Sequence, residues 1–226
     1  MNKAAQAVSR TRLPPEERQR EILNAARKVF ETRGYESWTV ADIAKEVGVV
    51  EGTVLHYFKS KNNLVAKVIE QFYAGITEVM EQGVQRVTGV RERLRFVIYT
   101  HTQLLFENAA LCSLMLKEAR EAERELGIQI YELSKRYTQV VTDIVNEGKK
   151  TSEIADSVSS RMIRHVLFGA MEHYLWDLIF DRSSLDVNDI ADELTDIVYF
   201  GIAYRADSGT DPEIRRLVLQ LRELVG

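Results

Sequence analysis

Few side chains in this 226-residue chain can do covalent or metal chemistry. It has four histidines and a single cysteine. His173 and Asp177 stand four apart on one helical face, and His101 and His165 can converge on them as a metal site. Hydrogen-bonded histidines are commoner, so no metal is expected. No Glu-x-x-His pair occurs, which counts against a di-iron helical bundle. Cys112, in the apolar run 111–116, reads as inert core, and one thiol makes neither an intrachain disulfide nor a zinc ribbon. No nucleophile with its base and no phosphate-cradling glycine loop is visible, so neither an enzyme nor a cofactor is expected. The densest hydrogen-bonding group lies between residues 39 and 61. Thr53, His56 and Tyr57 suit phosphates and base edges, and Gly52 lets a backbone come close to them.

The elements that position this group read as helices throughout. Proline occurs only at 14, 15 and 212, and apolar residues recur at spacings of three and four, so the chain is expected to be all-α. A first helix starts after Pro14-Pro15, carries Ile22, Leu23, Ala26, Val29 and Phe30, and stops at Gly34. Thr39 with Asp42 forms a capping box for a short helix that buries Val40, Ile43, Ala44 and Val47 and ends at Gly48. A second short helix covers Glu51 to Phe58, with Val54, Leu55 and Phe58 turned inward. Ser60 then caps a long fourth helix through Leu64, Val68, Phe72, Ile76 and Met80. Further helices are expected near 91–107, 110–125, 128–147, 153–181 and 188–205, punctuated by Gly83, Gly89, Gly127 and Gly148. Asp211-Pro212-Glu213 opens a last one striped by Ile214, Leu217, Val218, Leu221, Leu224 and Val225.

Two short helices joined by a glycine-containing turn make a helix-turn-helix, whose second helix enters the major groove. The residues Ile22-Leu23-Asn24-Ala25-Ala26, Phe30, Gly34-Tyr35, Thr39-Val40, Ile43-Ala44, Gly48-Val49, Gly52-Thr53, Tyr57-Phe58, Lys61 and Leu64 carry a closer likeness. In them the chain resembles the TetR family of helix-turn-helix transcriptional repressors, over about fifty residues. The resemblance implies a DNA-binding surface of Thr39, Val50, Glu51, Gly52, Thr53, His56, Tyr57 and Lys61. Thr39 and Lys61 would be backbone contacts and Tyr57 a phosphate or base contact, with Gly52 and Thr53 facing the groove. Val50 replaces the serine that commonly caps the recognition helix, and Leu55 replaces a common tyrosine, leaving the cap and one backbone contact in question.

The charge map agrees with this division. The total of −4 separates into 11 basic and 8 acidic residues in 1–64, a net +3, and a net −7 on the rest. Arg10 and Arg12 precede Pro14, where a basic arm can reach phosphates or a minor groove; a solvated tail without a role is the other reading. The expected organisation is a flexible basic arm at 1–13, a helix-turn-helix domain at 14–60 and a helical effector-binding and dimerisation domain at 61–226. With no apolar leader or membrane-length run, a cytoplasmic protein is expected.

The resemblance further implies a homodimer on double-stranded operator DNA, released by a small effector, and the apolar pocket candidates point to an apolar one. Pocket candidates, chosen by phase and size, are Phe72, Ile76, Met80, Phe96, Tyr99, Leu104, Met115, Tyr131, Tyr137, Phe168 and Trp176. Candidates for the dimer interface are Val166, Gly169, Ala170, Met171, Tyr174, Leu178, Ile197 and Phe200. Ordinary core packing is the alternative for both groups. A helical adaptor that binds a protein partner through 214–225 is a further alternative.

Overall fold

The computed structural model describes residues 13–33, 37–120, 125–180 and 186–203, without the side chains of 118–120. The expected stop at Gly34, the arm bearing Arg10 and Arg12, and the terminal helix from 211 fall outside them. Among the described residues the chain is all-α, with nine helices and no strand. They are α1 (Pro15–Arg33), α2 (Val40–Val47), α3 (Glu51–Phe58), α4 (Lys61–Val84), α5 (Val90–Glu107), α6 (Ala109–Arg120), α7 (Glu125–Lys150), α8 (Ser160–Ile179) and α9 (Val187–Ile202).

Local chemistry explains the first helices. Pro15 needs no amide partner at a helix start, and Glu16 and Glu17 complement the positive end. The Thr39 side chain accepts from the Asp42 amide, and Asp42 accepts from the Thr39 amide at 2.9 Å, completing the capping box. Gly48 closes α2 in the left-handed region, at φ 72°, with its amide turned back to the Ala44 and Lys45 carbonyls. The Ser60 hydroxyl accepts from the Asn63 amide at 3.1 Å and caps α4.

The chain forms two compact units. One takes residues 1–77 and 107–135, the other 78–106 and 136–226, so the division falls inside the continuous helices α4 and α7. In the first unit Ile22, Ala26, Phe30, Trp38, Ile43, Val54, Phe58, Leu64 and Val65 form a core from which solvent is excluded. Trp38 packs on Phe30 with ring centroids 4.7 Å apart. In the second unit Leu94, Val97, Ile98, Val141, Val145, Leu167, Met171 and Ala191 are buried.

Three glycines expected to punctuate helices lie inside them: Gly83 in α4, and Gly127 and Gly148 in α7. Two of them serve close packing. A Cβ on Gly83 would stand 2.0 Å from the Phe96 ring, and one on Gly148 would stand 2.6 Å from Ile154 and 2.8 Å from Val90. α8 starts at Ser160 rather than 153 because the preceding segment bonds elsewhere. The Glu153 carboxylate accepts from the Val90 amide at 3.2 Å and from the Tyr199 hydroxyl at 3.1 Å. Ile154 bridges to Ala203, and Ser159 supplies the cap.

Candidate functional site

α3 turns Val54 and Phe58 into the core and leaves Glu51, Gly52 and His56 exposed. Thr53 and Tyr57 are partly exposed, and the His56 and Tyr57 rings meet edge to face at 5.5 Å. Leu55, expected to face inward, is 40% exposed, because one further residue turns the side chain about 100° away from Val54. Val50 is the N-cap of α3, makes no side-chain cap bond and is 73% exposed. The exposed face of α3 thus carries hydrogen-bonding groups, a bare backbone at Gly52 and two apolar side chains.

The Thr39 hydroxyl, 2.8 Å from the Asp42 carboxylate, is committed to its cap. The hydrogen bonds from the Thr39 hydroxyl and amide, chiefly, and the Arg33 guanidinium 2.8 Å away hold the Asp42 carboxyl below its ordinary pKa. Lys61 donates to the Trp38 carbonyl at 3.0 Å, with its ammonium 4.1 Å from the indole centroid. Trp38 was absent from the sequence expectations. It sits just before the Thr39 cap, with Ile43 at the fourth helical position, the spacing of a hydrophobic staple that could have flagged it.

In the same unit Arg27 of α1 donates to the Asn108 side chain at the α5–α6 junction and lies 5.6 Å from the centre of the Phe72 ring. This link joins residues 81 apart and has no local sequence signal. Burial pushes the Cys112 thiol up to about 12, leaving it protonated and unreactive at neutral pH.

Of the pocket candidates, Phe72, Ile76 and Met115 are buried in the first unit, where Tyr131 is instead 62% exposed. In the second unit Met80 and Tyr137 are buried, Phe96, Tyr99, Leu104 and Phe168 are intermediate, and Trp176 is exposed. His101, Tyr137 and Phe168 come together there. His101 Nδ1 is 2.9 Å from the Tyr137 hydroxyl, and the Phe168 ring stands edge-on to the imidazole at 4.8 Å. Burial pushes the His101 pKa down to about 3, so the ring is neutral at physiological pH. The nearby Thr102 hydroxyl is buried without a hydrogen-bond partner. His165 and His173 are exposed, and among the described residues no three His, Cys, Asp or Glu side chains are grouped to hold a metal.

On the outer side of α8, Met162, Val166, Gly169, Trp176 and Phe180 follow one another at helical spacing and are exposed. Ala170, Tyr174 and Leu178 are partly exposed, while Met171 is fully buried in the unit. α9 is tied inward to α5 by Arg91 to Asp196 at 2.7 Å and by the two-pronged Arg95–Asp192 pair at 2.5 and 3.1 Å. Its outer face exposes Ile197 by 72% and Phe200 by 57%. A Cβ added to Gly169 or Gly201 would meet nothing within 4 Å. No helix among the described residues is long and apolar enough to cross a membrane.

Known proteins place this geometry in context. Residues 22–68 match the model of bacterial regulatory proteins of the tetR family, and residues 66–201 match that of the YsiA-like protein C-terminal region. The fatty acid metabolism regulator protein of Bacillus subtilis (strain 168) is 27% identical over 182 residues, 80% of this chain and 94% of that one. The transcriptional repressor KstR2 of Rhodococcus jostii is 22% identical over 191 residues, 82% of this chain and 91% of its own. The crystal structure of the B. subtilis transcriptional regulator FadR in complex with stearoyl-CoA superposes with a TM-score of 0.72 and 27% identity. It covers 81% of this chain and 98% of that one.

Proposed function

The chain belongs to the TetR family of bacterial regulatory proteins, a DNA-binding, ligand-responsive transcriptional regulator, and from that premise we propose a homodimeric repressor released from its operator by an apolar effector. The observation that carries the proposal is the α2–Gly48–α3 helix-turn-helix, which holds the polar face of α3 open to a major groove. Residues 14–60 read DNA, 61–226 bind effector and partner copy, and 1–13 form a basic arm whose Arg10 and Arg12 contact phosphates. On α3, Gly52, Thr53 and His56 face base edges and Tyr57 contacts the backbone. Thr39 and Lys61 flank them, with their polar groups already oriented by Asp42 and Trp38.

The outer faces of α8 and α9 supply the dimer interface. Val166, Ile197 and Phe200 are too large and too exposed to be explained by the monomer core, and Gly169 and Gly201 let a second copy's helices approach closely. Two recognition helices then meet half-sites about one helical turn, ~34 Å, apart. For the effector we propose a long-chain acyl thioester, the ligand class of the B. subtilis structure. Within the second unit, apolar Met80 and Phe168 suit its chain, and the neutral His101–Tyr137 pair suits an uncharged hydrogen-bonding group. Effector binding shifts α4, and the Arg27 guanidinium, 5.6 Å from the centre of the Phe72 ring on α4, carries the shift into α1.

Native mass spectrometry of the purified full-length protein, with and without stearoyl-CoA, tests the proposal. A dimer that takes up the thioester is expected. A ligand-free monomer would contradict it.

A further inference from the structure

We propose that Val50 and Leu55, the exposed apolar side chains on the recognition helix, read the 5-methyl groups of operator thymines. The inference rests on the DNA-reading role of α3 argued above, and it says which bases that helix prefers.

α3 spends its inward positions on Val54 and Phe58, both shielded from solvent, and still leaves Val50 73% and Leu55 40% exposed outside. Val50 is more exposed than any other large apolar residue described, and as an N-cap it forgoes the hydrogen bond that serine, threonine or aspartate would provide. Leu55 stands four residues after Glu51 and three after Gly52, on the same helical face. A Cβ built on Gly52 would meet nothing within 4 Å, so this face is open for the close approach that a groove requires. The N-terminal residues of a recognition helix are those that reach base edges, which is where Val50 stands, with Leu55 five residues on, about 140° further round the helix, so that the two cover different bases.

The chemistry of the groove then selects the occupant. Each base pair presents hydrogen-bond donors and acceptors in the major groove, and thymine alone among the standard bases adds an apolar methyl. Valine and leucine cannot satisfy a donor or acceptor. Set against guanine or cytosine edges they would desolvate polar groups without replacing their hydrogen bonds, whereas against a thymine methyl they bury apolar surface on both sides. Discrimination therefore runs toward thymine at the positions these side chains cover.

Deoxyuridine tests this directly, since it pairs as thymine does and lacks only the methyl. A duplex is selected by the full-length protein from a randomised pool. Each thymine is then replaced by deoxyuridine, in both half-sites together, and affinity is read by fluorescence anisotropy at fixed salt. At one or two positions binding should weaken about fourfold per methyl lost, so about fifteenfold for the pair. In the V50A/L55A protein the same replacements should change affinity by less than about twofold, while circular dichroism and the salt slope stay as in the parent. Val50 is 73% and Leu55 40% exposed, so truncating both to alanine costs little stability, and circular dichroism checks that the variant is folded. The inference is overturned if no thymine is sensitive, or if the sensitivity is equally large in V50A/L55A. A pool from which no sequence is enriched would instead refute the DNA-reading role itself, and this inference with it.

Discussion

Acid should weaken this fold through His101, and the size of the effect follows from its surroundings. In the folded chain burial holds the imidazole pKa near 3, against 6.5 for an unperturbed histidine. Between those values the unfolded chain binds the extra proton, so stability is complete above about pH 6.5 and is lost as pH falls through that window toward 3. From pH 7 to pH 5 the loss from this one ring is about 2 kcal/mol. The perturbation is His101→Leu combined with Tyr137→Phe, which removes both ends of the 2.9 Å contact and leaves no polar atom of the pair stranded. Urea unfolding at pH 7 and pH 5, at one protein concentration, gives the assay. Carboxylates elsewhere contribute alike to both proteins and cancel in the comparison. The parent should lose about 2 kcal/mol more than the double variant between the two pH values. Tyr137→Phe alone, which takes the hydroxyl partner from the half-buried His101, should cost about 1 kcal/mol at pH 7. Equal acid losses in parent and double variant, within about 0.5 kcal/mol, would refute the reasoning.

Gly83→Ala places a methyl 2.0 Å from the Phe96 ring and should destabilise by about 1–3 kcal/mol in thermal unfolding, with Phe96→Leu relieving part of the loss; an unchanged melting temperature would count against the close packing. Thr39→Ala should cost about 1 kcal/mol of stability and weaken operator binding, while Thr39→Ser keeps the cap and most of the affinity, as unfolding curves and anisotropy would report. Ile197→Arg with Gly169→Arg should turn a dimer into a helical monomer in native mass spectrometry and circular dichroism. A persistent dimer would remove the outer faces of α8 and α9 as the interface.

What could be read from the residues depended on how local its cause was. Thr39 with Asp42, Gly48 and Ser60 act on their own backbone within a few residues, and each does in the structure what its spacing predicts. Gly83 and Gly148 read as helix stops because glycine ends helices locally. Their role is to let Phe96, Ile154 and Val90 close in from other segments, which no window of sequence contains. α8 starts later than its apolar pattern suggests for the same reason: Glu153 and Ile154 fit a helical pattern, yet their partners are Val90, Tyr199 and Ala203. Leu55 fits an inward phase almost as well as Val54 does, and only the closed domain decides which of two neighbours is buried. In the candidate site, the polar residues of α3 were legible from spacing and resemblance. Trp38 beneath Lys61, the Arg27–Asn108 link and the meeting of His101 with Tyr137 needed the fold, since each joins positions between 23 and 81 residues apart.

The central claim is that effector and operator compete through one protein, and reciprocity makes that measurable. Stearoyl-CoA is titrated calorimetrically into the full-length protein, alone and saturated with its selected duplex. The account predicts weaker thioester binding in the presence of the duplex, by the same factor with which the thioester weakens duplex binding. Equal thioester affinity with and without the duplex would contradict it.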